Sequence, residues 1–293
     1  MVTVPRIGVR VVAAGAGLAV SLTGYVAWAR PYQLQWGATA QEVARAMPGD
    51  ALDPRPTFLS TRAITINATS GQIWPWLVQM GYGRAGFYGY DLIENLGSPQ
   101  GLASADRIEP QWQDLHVGDI VPISGVAQLV VSTVEPGRYL VWAGQSGPDP
   151  GSFAWALYPV DATHTRLVSR IRWHHHGLTQ PGLLALDAFT EFTDHLAVRK
   201  ILAGVKGRAE GHHTSAVVAD AQVALFSASA VALAAGLGLI LGCALTWRRW
   251  VTGLAAGATW LLVWYSPLPA WVGACLLVGV LVAGYRALHR PAA

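Results

Sequence analysis

Thr165–His174 reads TRLVSRIRWH, and after Gln180-Pro181-Gly182 a run of about 28 residues continues to Glu210. The first stretch alternates. Leu167, Ser169, Ile171 and Trp173 fall on one side and Arg166, Val168, Arg170 and Arg172 on the other, the period of a β-strand with one apolar and one basic face. In the second stretch Phe189, Phe192, Leu196, Ile201 and Val205 recur at near-helical spacing, which predicts a long amphipathic helix. A strand that must bury one face and a helix with one apolar stripe solve each other's problem by packing together.

Upstream, Thr61–Asn67 (TRAITIN) is rich in β-branched residues and alternates, so it reads as a strand with Ile64 and Ile66 on the same face. A helix follows: Ser70 is placed to cap it, Ile73, Trp76, Leu77 and Met80 share one face, Pro75 is expected to kink it, and Gly81–Gly83 stops it. The run Phe87–Leu96 (FYGYDLIENL) puts Tyr88, Asp91, Leu92 and Asn95 on one face if it is helical. Gly118–Ser124, Gln128–Val134, Tyr139–Ala143 and Phe153–Tyr158 carry strand-type residues, with a turn at Glu135-Pro136-Gly137-Arg138. The order predicts an α+β domain: a curved antiparallel sheet gripping a long C-terminal helix, with room for a cavity between them. Trp74, Trp76, Trp112, Trp142, Trp155 and Trp173 are placed either to line such a pocket or to fill the core.

The whole chain is unusually apolar. Of 293 residues only 13% are charged, 52% are hydrophobic, and 20 Lys and Arg stand against 17 Asp and Glu. Disorder is excluded, and a small positive excess with no basic cluster argues against a nucleic-acid partner. The two cysteines, Cys243 and Cys275, sit in apolar runs and offer neither a disulfide framework nor a Cys-based zinc site.

Every carboxylate lies between Glu42 and Asp220. This divides the chain into an N-terminal anchor (1–30), a middle domain (31–215) and a C-terminal membrane region (216–293). Val11–Ala29, Ala221–Thr246 and the two halves of Val251–Tyr285 about Ser266-Pro267-Leu268-Pro269 read as about four transmembrane helices. A cleaved signal peptide for the first, and a re-entrant hairpin for the last two, stay open. Arg6, Arg10, Arg248, Arg249, Arg286 and Arg290 on the cytoplasmic side would make this a multi-pass protein of the cell membrane with its middle domain outside.

Ser60–Asn95, Ala105–Pro122, Trp155–Arg172 and Ala197–Glu210 together resemble the SRPBCC family, also called START-like or polyketide cyclase/dehydrase-like, of the helix-grip fold. The resemblance spans about 150 of the 293 residues, with WPWLVQMG and GFYGYD its most specific runs. It implies an internal cavity that binds hydrophobic or amphipathic small molecules and, in some members, cyclisation or dehydration of a bound polyketide. It supplies no catalytic motif, so no catalytic residue is assigned.

The ligand-binding candidates are Trp76, Met80, Arg84, Phe87, Tyr88, Tyr90, Trp142, Trp155 and Trp173. The leading expectation is a membrane-anchored domain that binds a lipid or other hydrophobic small molecule. A cyclase or dehydratase using Tyr88, Tyr90, Asp91 or Arg84 is the enzymatic alternative, and a scaffold with a filled interior is the third. Asp91 and Glu94, three apart, would share a helical edge as a carboxylate pair for acid/base chemistry does, with capping or a surface salt bridge as the simpler reading, and Asp106-Arg107 is an expected ion pair. His174 and His176 would share a strand face, but without a second cluster no metal site is expected, and no cofactor. The oligomeric state is not legible.

Overall fold

β-branched and aromatic residues build six strands: β1 (Phe58–Ile66), β2 (Ile120–Pro122), β3 (Gln128–Glu135), β4 (Tyr139–Ala143), β5 (Ser152–Pro159) and β6 (Thr165–Trp173). They form one antiparallel sheet in the order β1-β6-β5-β4-β3-β2, so the last strand returns beside the first. The helices are α1 (Arg30–Leu34), α2 (Ala40–Ala44), α3 (Ser70–Val78), α4 (Leu184–Ala209) and α5 (Ala270–His289). This computed structural model describes residues 23–91, 103–144, 151–175, 177, 179–212, 218, 221–225, 228–229, 231–232, 255–257, 259–260 and 270–289. The chain divides into two compact units, Met1–Thr214 with the sheet and α1–α4, and Ser215–Ala293 with α5.

Alternation assigns each strand residue to one of two faces. Ile64, Ile66, Leu167, Ile171, Phe153, Trp155, Leu157, Leu140 and Trp142 pack with Ile73 and Leu77 of α3 and with Val198, Ile201, Leu202 and Val205 of α4. This is the gripped face, and the 26-residue α4 is the long helix expected between Gly182 and Glu210. The opposite face carries Ala63, Val141, Ala154, Ala156 and Val168, which meet Met47, Ala38 and Leu52. Small side chains there let the N-terminal segment lie close. Trp36 accepts a hydrogen bond from the Ala63 amide (3.1 Å), covering the free edge of β1, and Gly37 with φ 71° passes where a Cβ would fall 2.2 Å from the Ala63 oxygen.

The face expected to be basic is therefore covered rather than exposed. Arg170 is 2% exposed and donates from Nε to Thr61 (3.0 Å), from Nη1 to Arg45 O (2.7 Å) and Asp50 (2.9 Å), and from Nη2 to Glu42 O (2.8 Å) and Val43 O (2.9 Å). All five guanidinium donors are used. Arg166 pairs with Glu42 at 2.7 Å and Arg172 with Asp50 at 3.1 Å, so one strand's arginines fasten the whole segment. Burial pushes the Glu42 carboxyl up, but hydrogen bonds from Arg166 and from Thr39 outweigh it and hold the group below its ordinary range.

Local details differ from expectation in three places. Thr69, not Ser70, caps α3, because Thr69 and Gln72 form a reciprocal capping box. Tyr88 sits at φ 63°, which removes it from any helix; the residues after Asp91 in that run lie outside the described ones. Arg107 pairs with Glu109 (2.8 Å), and Asp106 faces Arg208 (3.5 Å), where the sequence predicts an Asp106-Arg107 pair.

The membrane assignment is corrected. Among the described residues no helix is long and apolar enough to cross a membrane. In α5 the uncharged stretch is Ala270–Tyr285, 16 residues, before Arg286. At 1.5 Å per residue that covers about 24 Å of a hydrocarbon core of about 30 Å. The N-terminal run turns π-helical at Tyr25–Ala29 and enters α1 at Arg30, whose guanidinium is bound to Glu191 at 2.7 Å. The four transmembrane helices, the bilayer as partner and the multi-pass membrane location are accordingly withdrawn. Most of Val11–Ala29 and of Ala221–Thr246, and residues 251–254, 258 and 261–269 of the run after them, lie outside the described residues.

Candidate functional site

The gripped face is not uniformly apolar. Strand register lines up Arg62 of β1 with Ser169 of β6, Ser169 with Trp155 of β5, and Trp155 with Leu140 of β4. Directly opposed residues on neighbouring antiparallel strands have Cβ atoms about 4.5–5.5 Å apart, so Arg62, Ser169 and Trp155 form a continuous row. The next row contains Ile171, Phe153 and Trp142. Arg62, Ser169, Trp142 and Trp155 are all buried.

Four polar atoms in these rows have no hydrogen-bond partner among the described residues: Arg62 Nη2, Ser169 Oγ, Trp155 Nε1 and Trp142 Nε1. Leaving a buried donor unmatched costs about 1–3 kcal/mol, and most buried polar groups in folded proteins are matched. Four on one face are a feature that needs an explanation. Arg170 gives the contrast, since on the opposite face the same kind of side chain, equally buried, places all five donors on protein oxygens. Arg62 donates from Nε to Gln33 O (2.7 Å) and from Nη1 to Asp194 (2.7 Å), and stops there.

α4 closes over this row with Asp194 and His195. His195 is fully buried, and its Nδ1 lies 3.1 Å from the Gln33 carbonyl. A carbonyl only accepts, so Nδ1 carries the proton of a neutral imidazole. Burial, with Arg62 and Arg199 nearby, pushes the His195 pKa down to about 3 against a slight rise from the Gln33 carbonyl. In the unfolded chain the ring takes a proton near 6.5. Between those values the unfolded state holds one more proton, so stability is full above about 6.5 and fades as pH falls. Unfolding free energy is expected to drop by about 1.4 kcal/mol per pH unit in this window, roughly 2 kcal/mol from pH 6.5 to 5. Denaturant titrations at pH 7.5 and 5.0 on the natural chain and on His195→Gln check this; equal losses in both would exclude His195 as the cause. Glu42, Asp161 and Glu210 add the same sign only at lower pH.

The sequence-derived candidates fall into three groups. Phe87, Trp142 and Trp155 come together with Phe153: Trp142 meets Phe87 at 6.4 Å, Phe153 at 5.6 Å and Trp155 at 6.0 Å, all edge-on, while Phe153 stacks on Trp155 at 4.8 Å. Trp76, Met80, Tyr88 and Tyr90 are buried around α3 and the following loop. Tyr88 donates its hydroxyl to Trp76 O (3.0 Å) and carries Arg208 over its ring (4.3 Å), and burial raises its pKa. The Tyr90 ring faces Lys200 (5.2 Å).

Two candidates stand apart from the row. Arg84 lies over Trp112 (4.7 Å) and donates to Val78 O (2.9 Å), and its pKa is lowered by burial. Trp173 is 43% exposed at the end of β6. Asp91 accepts from the Ser104 amide (3.0 Å) and hydroxyl (2.6 Å); Glu94 lies outside the described residues. His174 meets Asp53 at 3.0 Å and His175 stacks on Phe58 at 4.8 Å. No cluster of three or more His, Cys, Asp or Glu suited to a metal occurs among the described residues.

Sequence reasoning missed Arg62, Ser169, Asp194 and His195. Two of them left a signal: Arg62 has the parity of Ile64 and Ile66, and Ser169 stands between Leu167 and Ile171, so each is a polar residue at an apolar register position.

Fold and site together define an α+β domain in which a long helix closes an antiparallel sheet over an interior that mixes aromatic rings with unmatched hydrogen-bond donors. Several solved structures share similarity with it. A Polyketide_cyc-like protein from Corynebacterium glutamicum is 13% identical, with a TM-score of 0.35 over 55% of this chain and 99% of that one. A self-sacrificing resistance protein from Micromonospora echinospora is 12% identical, with a TM-score of 0.31 over 54% and 97%. A protein from Thermus thermophilus is 12% identical, with a TM-score of 0.27 over 53% and 98%. At this level of identity and superposition they carry no ligand or activity over to this chain. No protein-family model and no curated protein matches it.

Proposed function

We propose that the domain binds a hydrophobic small molecule, a lipid or a compound of similar character, between the gripped face of the sheet and α4. The observation that carries this reading is the set of buried, unmatched donors on Trp142, Trp155, Ser169 and Arg62 beside the Phe87–Phe153 aromatic cluster. Binding pockets for small molecules are mostly apolar and aromatic with a few convergent polar groups, and that is the composition here. A scaffold with a finished core would have no reason to leave four donors unmatched. The cyclase or dehydratase built on Tyr88, Tyr90, Asp91 or Arg84 draws no support from their surroundings. Tyr88 and Asp91 are held by hydrogen bonds to Trp76 O and Ser104, and Arg84 by Val78 O and the Trp112 ring, although its buried Nε has no partner among the described residues.

The test is mass spectrometry of the purified full chain under native conditions, with organic extraction of any adduct and a thermal-shift panel of apolar compounds. A ligand at one hundred times its Kd stabilises the folded state by about 2.7 kcal/mol, a shift of roughly 5–10 °C for a domain of this size. An extractable adduct or such a shift is expected. Neither, across fatty acids, ketones, sterols and hydrocarbons, would refute ligand binding.

A further inference from the structure

The binding reading leaves open what kind of hydrophobic molecule is taken, and the charges around Arg62 bear on that. Trp142 and Trp155 can only donate through Nε1, and Arg62 Nη2 can only donate, while Ser169 adapts. The complement of such a group is an oxygen acceptor. Its charge is set by what Arg62 already holds: Asp194 lies 2.7 Å away, so the pair is internally neutralised before any ligand arrives. His195 beside it is kept neutral by its burial and by the nearby Arg62 and Arg199, and donates to Gln33 O through Nδ1. Bringing a carboxylate into this interior would add a buried charge beside a pair that is already neutral; the other cation whose charge reaches His195, Arg199, is held over the Trp36 ring. A ketone, ester or amide oxygen accepts from up to two of these donors through its two lone pairs and adds no charge.

We infer that the row Arg62, Ser169 and Trp155, with Trp142 beside it, recognises a neutral carbonyl-type oxygen on an otherwise apolar ligand, and selects against the corresponding carboxylate. This rests on the proposed binding between sheet and helix. The row lies in the sheet itself: Ser169, Trp155 and Trp142 stand on strands paired on both sides and Arg62 on the edge strand β1, so their backbone positions are fixed before a ligand enters. A site of this kind separates ligands by what it leaves unmatched: an alkene of the same length fills the space but satisfies no donor, and a carboxylate satisfies them at the cost of its own desolvation.

Three probes of equal chain length make the distinction: 2-tridecanone, 1-tridecene and tridecanoate, the last at pH 7.5. Each is titrated into the full chain labelled with 15N at the tryptophan indoles, with displacement of Nile red giving relative affinity. The ketone is expected to bind about tenfold more tightly than the alkene, the equivalent of one good hydrogen bond. It should also bind more tightly than the carboxylate and shift the Nε1–H signals of Trp142 and Trp155 downfield. Trp155→Phe and, independently, Ser169→Ala should bring the ketone-to-alkene ratio toward one; the second variant keeps the test alive if the first does not fold. Equal binding of ketone and alkene would overturn polar recognition while leaving apolar binding intact. Tighter binding of tridecanoate would overturn the preference for a neutral oxygen. Failure of all three to bind would overturn both readings together.

Discussion

Asp194→Ala is expected to destabilise the domain by about 3–5 kcal/mol, the usual consequence of stripping one partner from a buried ion pair. Arg62 is 1% exposed, and its remaining hydrogen bond among the described residues is to the Gln33 carbonyl. Without Asp194 its charge would have no counter-ion in an interior where removing a single ion from water costs several kcal/mol. The companion expectation separates charge from packing. Arg62→Met with Asp194→Leu removes both charges and keeps most of the volume, and should recover most of the loss. Urea unfolding of the full chain, followed by tryptophan fluorescence, measures both. A loss under about 1 kcal/mol in Asp194→Ala would mean that water reaches Arg62, and the buried row would have to be redrawn.

The second large effect lies on the same helix about three turns further on. Gly204→Ala is expected to cost about 3 kcal/mol or more, although alanine ordinarily stabilises a helix interior by about 1 kcal/mol relative to glycine. A Cβ at Gly204 would stand 2.1 Å from the Tyr88 carbonyl oxygen and 2.6 Å from the Tyr88 Cβ. Tyr88 has little room to retreat. Its backbone is left-handed at φ 63°, its amide donates to Ser104 Oγ at 2.9 Å, and its hydroxyl is tied to Trp76. The helix would have to lift from the GFYGYD segment and expose part of the α3 contact. A thermal melt decides the sign: a raised Tm would show that α4 and Tyr88 are further apart than described.

These expectations came from contacts, and the sequence announced only some of them. The strand at Thr165–His174 and the helix ending near Glu210 were legible because their periods are local. Side chains two apart share a strand face, and those three or four apart share a helix face, whatever the rest of the chain does. Their large aromatic side chains put Trp142 and Trp155 among the candidate ligand residues. Side-chain type did not reveal that they meet Phe87 from a distant loop, since that depends on which strands lie side by side.

The apolar runs illustrate the opposite limit. Absence of charge in Val251–Tyr285 is plain in the sequence, but crossing a bilayer requires a continuous helix of sufficient apolar length, and the described part of that run supplies 16 uncharged residues in α5. The length of an apolar run sets an upper bound on a span and does not make the helix.

By itself, then, the sequence determined the α+β class, the strand faces and the long closing helix, because these follow from periodicity that each segment carries alone. Tertiary structure decided what the two buried arginines do. Arg62 and Arg170 stand on strands that pair directly with each other, β1 and β6, but on opposite faces of the sheet. One is answered four times by the N-terminal segment and once by Thr61 of β1, and the other has a nitrogen with no partner among the described residues beneath α4. Which oxygen atoms surround a guanidinium is fixed by segments far away in the chain, and no local pattern encodes it.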